Sequence, residues 1–365
     1  MKVAIVHYWL VNMRGGEKVI EALLEMFPDA DIYTHVYNPA VISKTINSHH
    51  VYTSYINHLP FAKKLYQLYM PLMPNALLGF NLQKYDLVIS SESGPAKGVV
   101  PNPDAYHLCY CHTPMRYLWD MYHDYLNESS LITRFFMKHI IPSLRQWDIC
   151  SSNLVDCFIA NSNYVAKRIL RAYNRTPEVV FPPVDIEKFI KYERKPADYY
   201  LFLGQLTSYK RADIAIDACI KSRRKIVVAG AGMNRNKKRK YEKSGLVSFL
   251  EKITDEKKAI LFSEAKALLF PGIEDFGIVP IEANAGGCPV IAFRKGGALD
   301  TIQENVTGLF FDEQTPESLI TTIEYYENHM DIFTDRKKFT GHVQKFSKAV
   351  FKENIQRLIE ERQRI

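Results

Sequence analysis

The chain has 365 residues and a mass of 42.2 kDa, enough for two domains of ordinary size. Hydrophobic residues make up 47% and charged residues 24%, which excludes a disordered chain. The net charge of +7 is spread along it, with 16 basic and 13 acidic residues in the first 175 and 31 and 27 in the rest; this excludes a nucleic-acid-binding tail and leaves a mild attraction to anionic ligands or surfaces.

Met1-Lys2 leads directly into the apolar run 3–6, with neither a charged n-region nor a small-residue cleavage site, so no secretory signal is expected. The cysteines at 109, 111, 150, 157, 219 and 288 show no framework spacing, which points to a reducing, cytoplasmic setting. Short apolar runs at 3–8, 31–37, 86–91, 107–111, 157–161 and 179–184 read as buried strands, with helical stretches between several of them. The charge-free stretch 65–83 is nearly long enough to span a bilayer, but Gln67, Pro71, Pro74, Asn75, Gly79 and Asn81 would break the helix and leave amides unpaired in lipid. A spanning segment is excluded; an interfacial one remains. Residues 32–85 hold four lysines and no acid, and 129–147 combine Arg134, Lys138 and Arg145 with Phe135, Phe136, Ile140 and Ile141. Both stretches suit docking on an anionic membrane, or packing inside the fold.

After Pro182-Pro183 and the charged segment 185–198, where a hinge is expected, the strand pattern restarts at 199–206, 225–229, 267–270, 289–293 and 308–311. The basic run 234–243 reads as a solvated helix end. Near the end, Val350, Phe351, Ile355, Leu358 and Ile359 form a helical stripe within 347–365. The whole reads as α/β, with two Rossmann-like doubly wound domains of largely parallel strands. Such folds bind ligands outside the carboxyl ends of their strands, so a nucleotide-type ligand is expected.

Three segments carry chemistry. Arg14-Gly15-Gly16-Glu17 follows the first strand and opens a helix, where glycines would let the backbone approach a diphosphate. It is not G-x-G-x-x-G, and no acid follows the second strand, which argues against an NAD-dependent enzyme. In the second segment, 109–116, His112, Thr113 and Arg116 could hold a sugar hydroxyl or a phosphate; no CxxC pair completes a zinc site around Cys109 and Cys111. The third runs from Pro271 to Ala292. Glu274 and Glu282 flank the helix-start amides of Phe276, Gly277, Ile278 and Val279. Two carboxylates there would repel an anion unless they accept hydrogen bonds from hydroxyls, a combination that suits a nucleotide sugar; otherwise they simply cap the helix.

Glu274-x7-Glu282, the surrounding FGIVPIEANAGGCPVIA and Gly296-Gly297 resemble the E-x7-E signature of family 4 retaining glycosyltransferases (glycosyl transferases group 1), which have the GT-B fold. Gly15-Gly16, residues 90–98, CHTPMRYLWD, IANSNYVAKRI, FPPVD, residues 204–211 and TGLFF match in order, with CHTPMRYLWD and YKRAD closest to bacterial mannosyltransferase-like members of polysaccharide biosynthesis. The resemblance implies an acceptor-side domain over 1–184, a nucleotide-sugar-binding domain over 185–346 facing it across a cleft, and a helix 347–365 returning to the first. It implies that Glu282 holds the donor ribose, Glu274 a hydroxyl of the transferred sugar, and Lys210 with Gly15-Gly16 the diphosphate, while His112 contacts the sugar hydroxymethyl. The donor implied is GDP-mannose or another nucleoside-diphosphate sugar, and the acceptor a glycan or lipid-linked oligosaccharide. Gln205 stands where members usually have Arg; Arg211 or Arg116 could supply the missing charge. A non-catalytic nucleotide-sugar-binding subunit is the rival that Gln205 raises. Asp29-Ala30-Asp31 precedes its strand and reads as a turn, so no metal is expected.

Overall fold

A computed structural model describes residues 1–363; the side chains of Glu128, Ile132, Phe136 and Gln363 lie outside the described part, as do residues 364 and 365 of the expected last helix. The chain divides into two compact units, residues 1–182 with 352 onward, and residues 183–351.

In the first unit the strands are β1 (Val3–His7), β2 (Asp31–Thr34), β3 (Val51–Thr53), β4 (Leu87–Glu92), β5 (Tyr106–Cys111), β6 (Cys157–Ala160) and β7 (Glu178–Val179). They form a parallel sheet in the order β3-β2-β1-β4-β5-β6-β7. Every residue of β1 and β4 is buried, as strands covered on both faces must be. The strand order reverses between β1 and β4, whose ends are in register at His7 and Ser91.

Two expectations need correction here. Of the strand expected over 179–184 only Val179 lies in β7 (Glu178–Val179), and Pro182 and Pro183 have no N–H with which to extend the ladder. The edge strand β3 went unread: it is three residues long and only half-buried, too short for a period to register.

Beneath the carboxyl ends of β4 and β5 lies a buried ionic cluster. Lys97 Nζ donates to Glu92 Oε1 (3.0 Å) and to Asp148, and all three side chains are fully buried. Glu92 Oε2 accepts the N–H groups of Ala96 (3.0 Å) and Lys97 (2.7 Å). Asp148 Oδ2 accepts from Trp119 Nε1 (2.7 Å) and the Tyr173 hydroxyl (3.0 Å). Burial alone would lower the Lys97 pKa, but the two carboxylates outweigh it and hold the ammonium charged.

The second unit contains β8 (Tyr200–Leu203), β9 (Ile226–Ala229), β10 (Val247–Leu250), β11 (Leu268–Phe270), β12 (Val290–Phe293) and β13 (Gly308–Phe311). These also form a parallel sheet, in the order β10-β9-β8-β11-β12-β13, reversing between β8 and β11. The edge strand β10 was likewise unread. The basic run forms helix Arg235–Glu242, mostly exposed, except that Lys238 is buried and paired with Glu251 at 2.5 Å. The last helix, Lys348–Gln363, passes into the first unit, where Lys352 meets Glu25 (2.6 Å) and Ile355, Leu358 and Ile359 are buried.

The cluster makes a stability prediction. Lys97→Met should cost about 3–5 kcal/mol by leaving two carboxylates buried without their cation, and adding Glu92→Gln and Asp148→Asn should return most of it. Chemical denaturation of the three proteins checks this; wild-type stability in Lys97→Met would contradict it.

Candidate active site

In the second unit, the loops after β8 and β11 meet where the strand order reverses, the place where doubly wound sheets take ligands. After β8 the backbone turns at Gly204 (φ +155°) and continues through the exposed Gln205 to the short turn Ser208–Lys210. Arg211 is left-handed (φ 52°) and caps helix Ala212–Lys221. After β11, Gly272 lies so close to that turn that a Cβ would sit 2.8 Å from Lys210 Cα, so only glycine lets the two loops touch. Gly277 (φ 91°) then starts helix Ile278–Ala285, whose first N–H groups have no helical partner. Behind it, Gly297 N–H donates to Glu274 O (2.8 Å), and a Cβ on Gly297 would strike Phe276 Cα at 2.3 Å.

This packing brings Lys210 and Glu274 together at 2.9 Å, both partly exposed. Eight residues on, Glu282 lies deeper and pairs with Lys258 at 2.7 Å, with side-chain exposures of 13% and 17%. Burial raises the Glu282 pKa, and Lys258 pulls it back only in part. Arg211 forks onto Asp213 (3.2 Å) and reaches Gln314, which in turn donates to Pro271 O (2.8 Å). Its guanidinium is thus used to fasten the two loops together.

In the first unit, Gly15 and Gly16 open helix Gly15–Met26, and Glu17 turns back to accept the Arg14 N–H (2.8 Å) in a capping box. His112 follows β5; its N–H donates to Glu92 O (2.8 Å), Asn161 donates to its carbonyl (2.9 Å), and its Nε2 lies 2.9 Å from Ser91 Oγ. Gly16 is close beside it: a Cβ there would be 3.5 Å from His112 Nε2. Arg116 points its Nη1 to Met121 Sδ (3.7 Å). Asp31, of the D-A-D turn, accepts from Lys84 (3.1 Å) and Tyr85, so it serves the sheet's amino edge.

Sequence reasoning thus named the glycines, His112, Lys210, Glu274 and Glu282, but missed Lys258, His7 and Ser91. Lys258 gave no signal, sitting among several lysines of 252–266. His7 and Ser91 could have been found from the strand pattern alone, as polar residues at the carboxyl ends of the two central strands.

Both units are doubly wound, and each carries a glycine-containing turn and polar side chains at its switch point, the place where such sheets take ligands. Residues 13–188 match the family model for glycosyltransferase family 4, and residues 184–361 that for glycosyl transferases group 1. The chain belongs to this glycosyltransferase family and has its GT-B fold. It is 26% identical over 258 residues to alpha-1,3/1,6-mannosyltransferase ALG2 of Homo sapiens, covering 60% of this chain and 58% of that protein. It is 29% identical over 193 residues to O-antigen chain mannosyltransferase C of Escherichia coli, covering 48% and 52%. The chain therefore spans little more than half the length of these curated relatives. The crystal structure of Anabaena Alr3699/HepE in complex with UDP superposes with a TM-score of 0.71 at 17% identity, covering 99% of this chain and all of that one.

The Lys258–Glu282 pair predicts a pH-dependent loss. Lys258→Met should cost about 1–3 kcal/mol, and Glu282→Gln added to it should return most of that. A carboxyl held above its ordinary pKa stabilises the fold only while protonated, so the loss should grow as pH rises through the folded Glu282 value. Thermal melts across pH check the sign.

Proposed function

We propose that the protein is an α-retaining glycosyltransferase that moves a sugar, most simply mannose from GDP-mannose, to a glycan or lipid-linked acceptor in cell-surface polysaccharide assembly. The observation that carries the reading is the contact of Lys210 with Glu274 at the β8–β11 switch point, beside the start of helix Ile278–Ala285. A cation and helix-start amides suit a diphosphate, and a carboxylate among them suits a sugar hydroxyl. Glu282 would hold the ribose, and His112 the transferred sugar. The mannosyltransferase names of ALG2 and O-antigen chain mannosyltransferase C support the sugar. The HepE complex with UDP supports a nucleotide donor of this general kind, and a UDP- or ADP-sugar is the alternative.

In this reading the leaving phosphate oxygen, stabilised by Lys210 and the helix-start amides, assists deprotonation of the incoming hydroxyl on the same face of the sugar. Those groups neutralise the leaving phosphate, so no metal ion is required. Gln205 offers a neutral amide where relatives of this family usually place a guanidinium, and Arg211 is committed to Asp213 and Gln314. The charge on the diphosphate then falls chiefly to Lys210.

The acceptor side of the proposal is a membrane surface. Phe61, Leu65, Leu68, Leu72 and Leu78 are exposed around the exposed Lys63 and Lys64, and no acid occurs from 32 to 85. In the second stretch Leu131 and Phe135 are exposed, but Ile141 packs in the core with Met115 and Leu118. Arg134 is bound to carbonyls of 126 and 127, and the Phe136 side chain lies outside the described residues. The first patch is therefore the docking surface we propose. Among the described residues no helix is long and apolar enough to cross a membrane.

Kinetics test the site. Glu282→Ala should raise the donor KM far more than it lowers kcat, whereas Glu274→Ala and Lys210→Ala should lower kcat about a hundredfold, because their partners carry charge as the bond breaks. A β-linked product by NMR, or wild-type kinetics in the Glu274 and Glu282 variants, would overturn the assignment. For the surface, flotation with vesicles containing anionic lipid should be lost on raising salt and in Phe61→Ser/Leu68→Ser; binding indifferent to lipid charge and to both substitutions would refute docking.

A further inference from the structure

We propose that Glu17, His7 and Ser91 form a buried proton-ordering relay that fixes the tautomer of His112, so that its Nε2 carries the proton and its Nδ1 the acceptor lone pair. The inference rests on the reading that His112 contacts the transferred sugar, and it assigns three positioning residues to that contact.

The relay lies at the switch point of the first sheet. His7 ends β1, Ser91 lies opposite it in β4, and His112 follows β5. Ser91 Oγ is 3.0 Å from His7 Nδ1 and 2.9 Å from His112 Nε2. On its other side, His7 Nε2 faces Glu17 Oε1 at 3.9 Å, beyond hydrogen-bond distance and the one loose link in the chain. His7, Glu17 and Ser91 are at most 2% exposed. His7 Nε2 is buried with no hydrogen-bond partner at closer range, so the carboxylate is the group it is aimed at.

The direction of the protons follows from the carboxylate. Glu17 has one oxygen occupied by the Arg14 N–H (2.8 Å), and an ionised carboxylate can only accept. For a neutral His7, the premise of the relay, it selects the tautomer that turns Nε2–H towards it, because a lone pair facing a buried carboxylate would be repelled. His7 Nδ1 is then an acceptor and takes the Ser91 hydroxyl proton. Ser91 has no second proton, so its oxygen must accept from His112 Nε2–H. Each donor points towards Glu17. Burial by itself would raise the Glu17 pKa, but His7 and the amides of the helix start outweigh it, which agrees with an ionised end group.

Gly16 explains why the relay belongs to the site. A Cβ on Gly16 would fall 2.9 Å from Tyr8 Oη, 3.4 Å from His7 Cε1 and 3.5 Å from His112 Nε2. The Gly15-Gly16 turn therefore lies directly on the relay, and Glu17 both caps that turn and ends the chain of protons. A neutral His112 with its lone pair on Nδ1 accepts from a sugar hydroxyl; the opposite tautomer presents an N–H there and inverts the hydrogen bond.

The test uses the intact protein labelled with 15N-histidine, with His112 assigned through His112→Gln. Wild-type protein should show His112 protonated at Nε2 alone. Ser91→Ala should bring its two nitrogen resonances together as both tautomers become populated. Glu17→Gln keeps the capping geometry but can donate as well as accept, so it should also release the tautomer, which a purely structural Glu17 would not do. If Ser91→Ala fails to fold, Glu17→Gln carries the test. In kinetics, the released variants should lose about ten- to a hundredfold in kcat with donor KM little changed. His112 protonated at Nδ1 in the wild type, or unmoved in the folded variants, overturns the relay. A tautomer that moves without any change in kcat leaves the relay standing and removes His112 from the sugar contact.

Discussion

A parallel sheet covered on both faces has nowhere to put a polar group except at its ends, and the rest of this molecule depends on that constraint. Strands β1 and β4 are buried along their whole length, so hydrogen-bonding side chains gather where the strands stop. Where neighbouring strands send their chains to opposite faces, the stop leaves a gap lined by two loops. In the first unit the gap holds His7, Ser91 and His112; in the second it holds Lys210 and Glu274. The Lys97 cluster is the exception that keeps the first gap in shape. It ties the end of β4 to the segment after β5 and to the helices Leu131–Ser151 and Asn163–Tyr173, fixing the backbone that carries His112.

The central strands and the loop glycines were legible because hydrophobic period and glycine spacing are properties of neighbouring residues. The runs at 3–8, 86–91, 267–270 and 308–311 coincide with β1, β4, β11 and β13 to within a residue or two. The edges were not legible: β3 and β10 are short and half-solvated, and a three- or four-residue segment cannot display alternation. The glutamates could be named from spacing and Lys210 from the family resemblance, but neither pairing could be read, and Lys258 was missed altogether. Lys210 precedes Glu274 by 64 positions, and Lys258 precedes Glu282 by 24. The first pair exists only because loops from different βα units meet, and the second because the helices Asp255–Glu264 and Ile278–Ala285 pack against each other. Long-range pairing of this kind leaves no local trace, and a lysine on a helix such as Asp255–Glu264 looks like any solvated one.

The two glutamates sit in different electrostatic settings. Glu274 and Lys210 are part-buried, 21% and 15% exposed, and either can exchange its partner for a ligand. Glu282 is more deeply buried, and desolvation outweighs the pull of Lys258 on its proton. The asymmetry is thus one of desolvation at the carboxylate, which favours the proton of Glu282 and makes a ligand hydroxyl there a replacement for lost solvation.

The same asymmetry bears on Gln205. A guanidinium at that position would add a second cation to the loop that carries Lys210. With a neutral amide there, and with Arg211 held by Asp213 and Gln314, Lys210 can alternate between Glu274 and an anion without a rival cation in its own loop. In the reaction we propose, transition-state stabilisation depends on how readily one partly exposed ion pair opens, and less on a preorganised cluster of charge. Glycine contacts set where that pair forms. Lys210 Nζ lies 3.2 Å from where a Cβ on Gly204 would be, and Gly272 lets the backbone of the Ser208–Lys210 turn pack without a side chain between. A side chain at either position would push Lys210 away from Glu274, so these glycines fix the reach of the one cation on which the loop relies.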